Sequence, residues 1–150
     1  MTHSASMIPT YFLILLFGVQ LRMPLPLPVL QDHPVYAVTV LIKDVQPDLG
    51  GELLVALLND AGKQMLSARL PVTGSQGQVV FKPVTSGTYA VRYFQDTNAN
   101  GKVDTGWFNI PDEGVGCSND AKGFLSAPDL KDMLFRVDRS TTIESHIHYY

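Results

Sequence analysis

From residue 35 onward the apolar residues recur at every second position, and no long stretch repeats at 3.6. Successive side chains of a strand face opposite ways, so this period commits the chain to β-structure. In Val35–Lys43, Tyr36, Val38, Val40 and Ile42 share one face, with Ala37, Thr39 and Leu41 on the other. Leu53–Leu58 is apolar on both faces, as a central strand is. Gln64–Leu70, Gly77–Val84 and Thr88–Gln95 follow, separated by turn signals such as Asn59-Asp60-Ala61-Gly62. Met133–Val137 and Thr142–Tyr149 read as the last two strands. In the final one Ile143, Ile147 and Tyr149 share a face, opposite Glu144, His146 and His148. The expected architecture is all-β: an antiparallel β-sandwich of about seven strands with one long ordered loop.

The hairpin at Phe81 to Val91 refines that expectation. An apolar strand reaches Val84, Gly87 reverses the chain, and Gly87-Thr88-Tyr89 opens the next strand. A tyrosine there buries its ring while its hydroxyl reaches backbone at the corner. The pattern resembles the hairpin of transthyretin-like and immunoglobulin-like sandwich modules. Phe81, Tyr89 and Phe135 are the expected core aromatics.

The first 34 residues are of another kind. Tyr11 to Val19 is an unbroken apolar run, shorter than the roughly 20 residues a bilayer span needs. It suits the hydrophobic region of a secretory signal peptide, although no Lys or Arg precedes it. Residues 1–22 are therefore read as the export signal, with a buried strand or an uncleaved anchor as the alternative. Residues 23–34 contain Pro24, Pro26, Pro28 and Pro34 and are read as an extended linker to a domain at 35–150. The expected location is exported: periplasmic, surface-attached or secreted, with no stable membrane span once the signal is cleaved. A formal net charge of −3 argues against a nucleic-acid partner held through phosphates. A cell-surface protein or a glycan is the partner class expected. The single cysteine, Cys117, excludes an internal disulfide and reads as a small buried hydrophobe.

The chemistry concentrates directly after the fifth strand, in Asp96-Thr97-Asn98-Ala99-Asn100-Gly101-Lys102-Val103-Asp104. Oxygen-bearing side chains occupy loop positions 1, 3, 5 and 9, with glycine at 6. Calcium takes six to eight oxygens in flexible geometry, and alternate residues of a curled loop point inward. Asp96, Asn98, Asn100 and Asp104 are the candidate side-chain ligands, and Lys102 the candidate carbonyl ligand. Position 12, where an EF-hand places a bidentate glutamate, is Trp107. Asp112 and Glu113 are the candidates for the missing carboxylate, Glu113 being the additional ligand expected. The competing reading is plain turn chemistry, since Asp and Asn form Asx-turns without any ion. Residues 96 to 131 show little periodicity, and connections that long are uncommon in a compact domain unless something orders them. Trp107, Phe108 and Ile110 are expected to pin this stretch to the sandwich. Trp107 and Phe108 are alternatively a platform for a ligand such as a sugar ring.

The block Asp96-x-Asn98-x-Asn100-Gly101-x-x-Asp104, then Ile110-Pro111-x-Glu113-Gly114, then Gly116-x-Ser118-Asn119 resembles the signature of a bacterial family catalogued as domain of unknown function 2141. The resemblance runs over about residues 36 to 150. It departs at Cys117, where an aromatic is expected, and at Trp107-Phe108-Asn109, where a glycine usually precedes the isoleucine. It implies an exported, non-enzymatic β-sandwich and no particular activity. The reading kept beside it is a small exported hydrolase using loop carboxylates or His146 and His148.

Overall fold

The computed structural model describes residues 33–107, 110–123 and 127–150. The segment read as an export signal, most of the proline-rich linker, and Phe108 lie outside the described residues.

Among the described residues eight strands form two sheets. They are β1 (Val35–Lys43), β2 (Glu52–Asn59), β3 (Gln64–Pro71), β4 (Gln76–Thr85), β5 (Gly87–Asp96), β6 (Val115–Cys117), β7 (Phe135–Val137) and β8 (Thr141–His146). One sheet has the order β4-β1-β8, the other β3-β2-β5-β6, and β7 also pairs with β5. Every pairing is antiparallel except β1 with β8, which run parallel from Val38↔Thr141 to Lys43↔His146. The architecture is thus an all-β sandwich, with two departures from the sequence expectation. The pairing of the first and last strands is parallel, and an eighth strand, β6, lies inside the stretch read as loop. Met133 is also not in a strand. It ends a single helical turn, α1 (Leu130–Met133), before β7 begins at Phe135. β8 stops at His146, and the residues after it are held by the Ile147 N–H donating to the Lys43 carbonyl at 3.1 Å, by a bridge between Val115 and His148, and by the Tyr149 side chain.

The core follows the alternation. Val38, Val40 and Ile42 from β1 meet Leu53, Val55 and Leu57 from β2, with Val79, Phe81, Tyr89, Val91 and Tyr93 filling between them. Burying a side chain of this size contributes about 1.5–3 kcal/mol. The Tyr89 hydroxyl donates to the Thr85 carbonyl at 3.0 Å, closing the corner as the Gly87-Thr88-Tyr89 pattern foresaw. Phe135 packs at the margin of this core rather than within it. A second, smaller core lies on the outer face of the larger sheet, where Met133 covers Leu58, Ala90 and Cys117.

The edge of β5 shows why the 96–131 stretch is ordered. β6 pairs with Arg92 to Phe94, and β7 pairs with Gly87 to Tyr89. Val91 falls in the gap between them. Its N–H donates to the Ser118 hydroxyl at 3.0 Å, and that hydroxyl donates to the Met133 carbonyl at 2.5 Å. The Asn119 amide then bonds the Asp132 and Leu134 carbonyls, each at 3.0 Å. The Ser118-Asn119 pair thus splices β6 to β7, and Ser118 satisfies the buried Val91 N–H and Met133 carbonyl.

Candidate functional site

β5 ends in Asp96, whose side chain is fully buried where the candidate loop begins. Its Oδ1 accepts from the Asn100 N–H at 3.1 Å, and its Oδ2 from the Gly101 N–H at 2.8 Å. The chain therefore curls back over its own first residue. Gly101 makes the bend at φ 74°, in the left-handed region where a glycine is unstrained. The amides repeat the device on a smaller scale. Asn98 Oδ1 accepts from the Asn100 N–H at 3.1 Å, and Asn100 Oδ1 from the Lys102 N–H at 2.8 Å. These are Asx-turns, so that half of the sequence reading is structural fact.

The far end of the loop converges on the same place. Asn98 Nδ2 donates to Asp104 Oδ2 at 2.5 Å, and Asn100 Nδ2 donates to both Asp104 oxygens at 2.9 Å. Asp96, Asn98, Asn100 and Asp104 are thus joined in one hydrogen-bonded cluster. Lys102 contributes its N–H to this cluster.

Glu113 sits beneath, only 4% exposed. Its Oε1 accepts from the Thr97 N–H at 2.9 Å and the Thr97 hydroxyl at 3.2 Å, and its Oε2 from the Asp104 N–H at 3.3 Å. The side chain clamps the two ends of the loop. Asp104 is fixed again through its carbonyl, which accepts from the Asp112 N–H at 2.9 Å.

The loop base is set by two further contacts. Gly51 lies so close to the Asp96 carbonyl oxygen that a methyl group there would stand 2.1 Å from it. Gln95, also fully buried, donates to the Gln46 and Gly50 carbonyls at 2.9 and 2.7 Å and accepts from the Tyr149 hydroxyl. The turn before β2, the end of β5 and the C-terminal segment are thereby tied together under the loop.

The charge balance of the cluster is one-sided. It holds three carboxylates, and among the described residues no Lys or Arg pairs with Asp96, Asp104 or Glu113. Among the described residues the hydrogen-bond donors to it are neutral: backbone N–H groups, a hydroxyl and two primary amides. No three His, Cys, Asp or Glu side chains among the described residues gather as a metal set. A cation here would rely on amide and carbonyl oxygens beside the carboxylates, which is the hard-oxygen chemistry of calcium rather than that of zinc.

Trp107 corrects one expectation. It is 87% exposed and Ile110 is 46% exposed, so neither pins the loop to the sandwich. Order in this segment comes instead from the Glu113 clamp, the Thr105↔Pro111 bridge and a bond from the Gly106 N–H to the Ile110 carbonyl at 2.8 Å.

The C-terminal histidines face different surroundings. His146 is paired with Asp120: the His146 N–H donates to Oδ1 at 2.6 Å, and Nδ1 lies 2.9 Å from Oδ2. The Asp120 contact raises the His146 ring above its ordinary pKa. Partial burial works to raise the Asp120 carboxyl, but the bonds from His146 outweigh it and hold it below its ordinary value. His148 Nε2 is buried with no hydrogen-bond partner among the described residues. Cys117 is buried, and that burial pushes its thiol up, away from a nucleophilic thiolate. Ser118 is committed to the β5 splice.

A family model described as an uncharacterized protein conserved in bacteria (DUF2141) covers residues 36–144. No curated protein and no solved structure matches the chain.

Proposed function

The chain belongs to that bacterial DUF2141 family, and from this premise we propose that it is an exported, non-enzymatic β-sandwich binding module whose Asp96–Asp104 loop takes a calcium ion. The observation that supports the reading is the joining of Asp96, Asn98, Asn100 and Asp104 in a cluster whose carboxylates form no ion pair with a Lys or Arg among the described residues. The two amide Nδ2 groups stand against the Asp104 carboxylate where a cation would compete for it. Turning Asn98 and Asn100 toward an ion would exchange their amide–carboxylate hydrogen bonds for ion–oxygen contacts. The Lys102 carbonyl and water would complete a set of six or more. Glu113, with both oxygens engaged by the loop ends, holds the frame in this reading.

Calcium would then order the rim from which Trp107 projects, and an exposed indole there suits a glycan or a cell-surface protein as partner. The test is calorimetric titration of calcium into the intact chain. One site with Kd in the range of about 10⁻⁴ to 10⁻³ M, typical of extracellular modules, is expected. Absence of heat at millimolar calcium would overturn the reading.

A further inference from the structure

The outer face of the β3-β2-β5-β6 sheet is crossed by two rows of side chains in register. One row is Ser67, Ala56, Arg92 and Cys117; the next is Arg69, Leu54, Phe94 and Val115. Beyond the first row the face is covered by Met133. Beyond the second stand Gly101, Val103 and Ile110 of the loop. Between these two walls lies a groove of about 1030 Å³, as large as pockets that take drug-sized ligands.

Its charge runs against that of the protein. The chain carries 14 acidic and 11 basic residues, yet the described residues lining the groove include Arg69, Arg92 and Lys122 and no Asp or Glu. Arg69 lies 3.7 Å from Glu52 in an exposed pair, worth little. Arg92 is different. It stands on the central strand β5, exposed, and among the described residues pairs with no carboxylate. Its neighbours across the sheet, Ala56 and Cys117, are small and leave its guanidinium open to the groove. In the adjacent row Leu54, Phe94 and Val115 are apolar, with Arg69 at its β3 end. An unpaired guanidinium beside an apolar strip fits a ligand with an anionic head and an aliphatic body, because the guanidinium fork matches a carboxylate.

We propose that this groove binds a free medium-chain carboxylate, its head on Arg92 with Lys122 nearby and its chain along Leu54, Phe94 and Val115. A second copy of the chain is a poor occupant, since a two-fold interface would set the same cationic patch against itself. The proposal goes beyond the calcium reading. Arg92, Leu54 and Phe94 belong to strands, so the floor stands whether or not the loop holds an ion.

The test is calorimetry of the intact chain with decanoate below its micelle concentration, in EDTA so that the result is independent of calcium. Decanol and decyltrimethylammonium serve as head-group controls. Saturable one-site binding of decanoate is expected, at least about tenfold tighter than decanol, with no binding of the cationic analogue. Arg92→Gln should weaken decanoate about tenfold or more, the loss of a charge-assisted contact, and leave decanol unchanged. Lys122→Gln should weaken decanoate by a smaller factor, and both variants should keep the parent melting temperature. Equal affinity for all three head groups, no saturation, or an unchanged affinity in a folded Arg92→Gln protein would overturn the proposal. So would a dimer that buries the groove and excludes decanoate.

Discussion

Asn100 faces Asp104 across the loop, its Nδ2 donating to both carboxylate oxygens at 2.9 Å. An amide dipole there does weakly what a cation would do strongly. Replacing it by a carboxylate separates the two roles. Asn100→Asp should lower the melting temperature in EDTA, because two like charges then meet without a counterion. In calcium the same change should tighten binding about tenfold, since ligand charge tunes affinity in such loops. Thermal melts in both conditions check the reversal of sign.

Asp96 carries the curl of the loop through the Asn100 and Gly101 N–H groups. Asp96→Ala should cost about 2–4 kcal/mol in urea unfolding, as two backbone donors lose their acceptor. Asp96→Asn keeps one acceptor oxygen and should cost about half of that. The alanine variant should also lose any response to calcium while retaining the β-sheet signal in circular dichroism.

Glu113 joins Thr97 to Asp104 with one side chain. Glu113→Gln keeps a carbonyl for Thr97 but turns an NH₂ group toward the Asp104 N–H. A loss of about 1–3 kcal/mol is expected. Hydrogen exchange should quicken at Thr97 and Asp104 and stay unchanged at Val91, whose N–H is held by Ser118. Exchange quickening equally at all three would contradict a local clamp.

The Asp120–His146 pair predicts a pH window. The His146 pKa is raised in the fold by its bond to Asp120, so its contribution is whole below the ordinary histidine value of 6.5 and fades as pH rises through the raised one. Asp120 is lowered, so its contribution is whole above the ordinary 3.8 and fades as pH falls through the depressed value. His146→Gln should therefore melt about 2 °C below the parent near pH 5. The gap should close as pH rises through the raised His146 pKa. A constant offset across that range would show that the pair is not ionic.

Strand positions were legible because burial on one face imposes a period of two, as Val38, Val40 and Ile42 show. β6 was hidden for a physical reason. A side chain at Gly116 would strike the Tyr93 ring, as a methyl there would stand 2.4 Å from Cε2. The inward position is therefore glycine, and the apolar alternation disappears. The parallel β1–β8 pairing was not legible, since periodicity does not name a partner. The spacing singled out Asp96, Asn98, Asn100 and Asp104, but the Nδ2 bonds to Asp104 depend on side-chain rotation that spacing does not encode. Trp107 was misjudged because an aromatic inside a long connection usually packs, whereas here Glu113, a polar residue, does the ordering. Arg92 looked like any outward residue of a strand until the rows beside it were in place.

The proposed calcium site has a cation complete the cluster of Asp96, Asn98, Asn100 and Asp104. Its most direct test is the melting temperature of the intact chain in EDTA and in calcium at about 100 times Kd, where binding adds about 2.7 kcal/mol. A rise of several degrees in calcium, absent in Asp104→Ala, is the predicted result. Identical midpoints in EDTA and calcium would contradict it and leave the amide-bridged loop as a finished structure in itself.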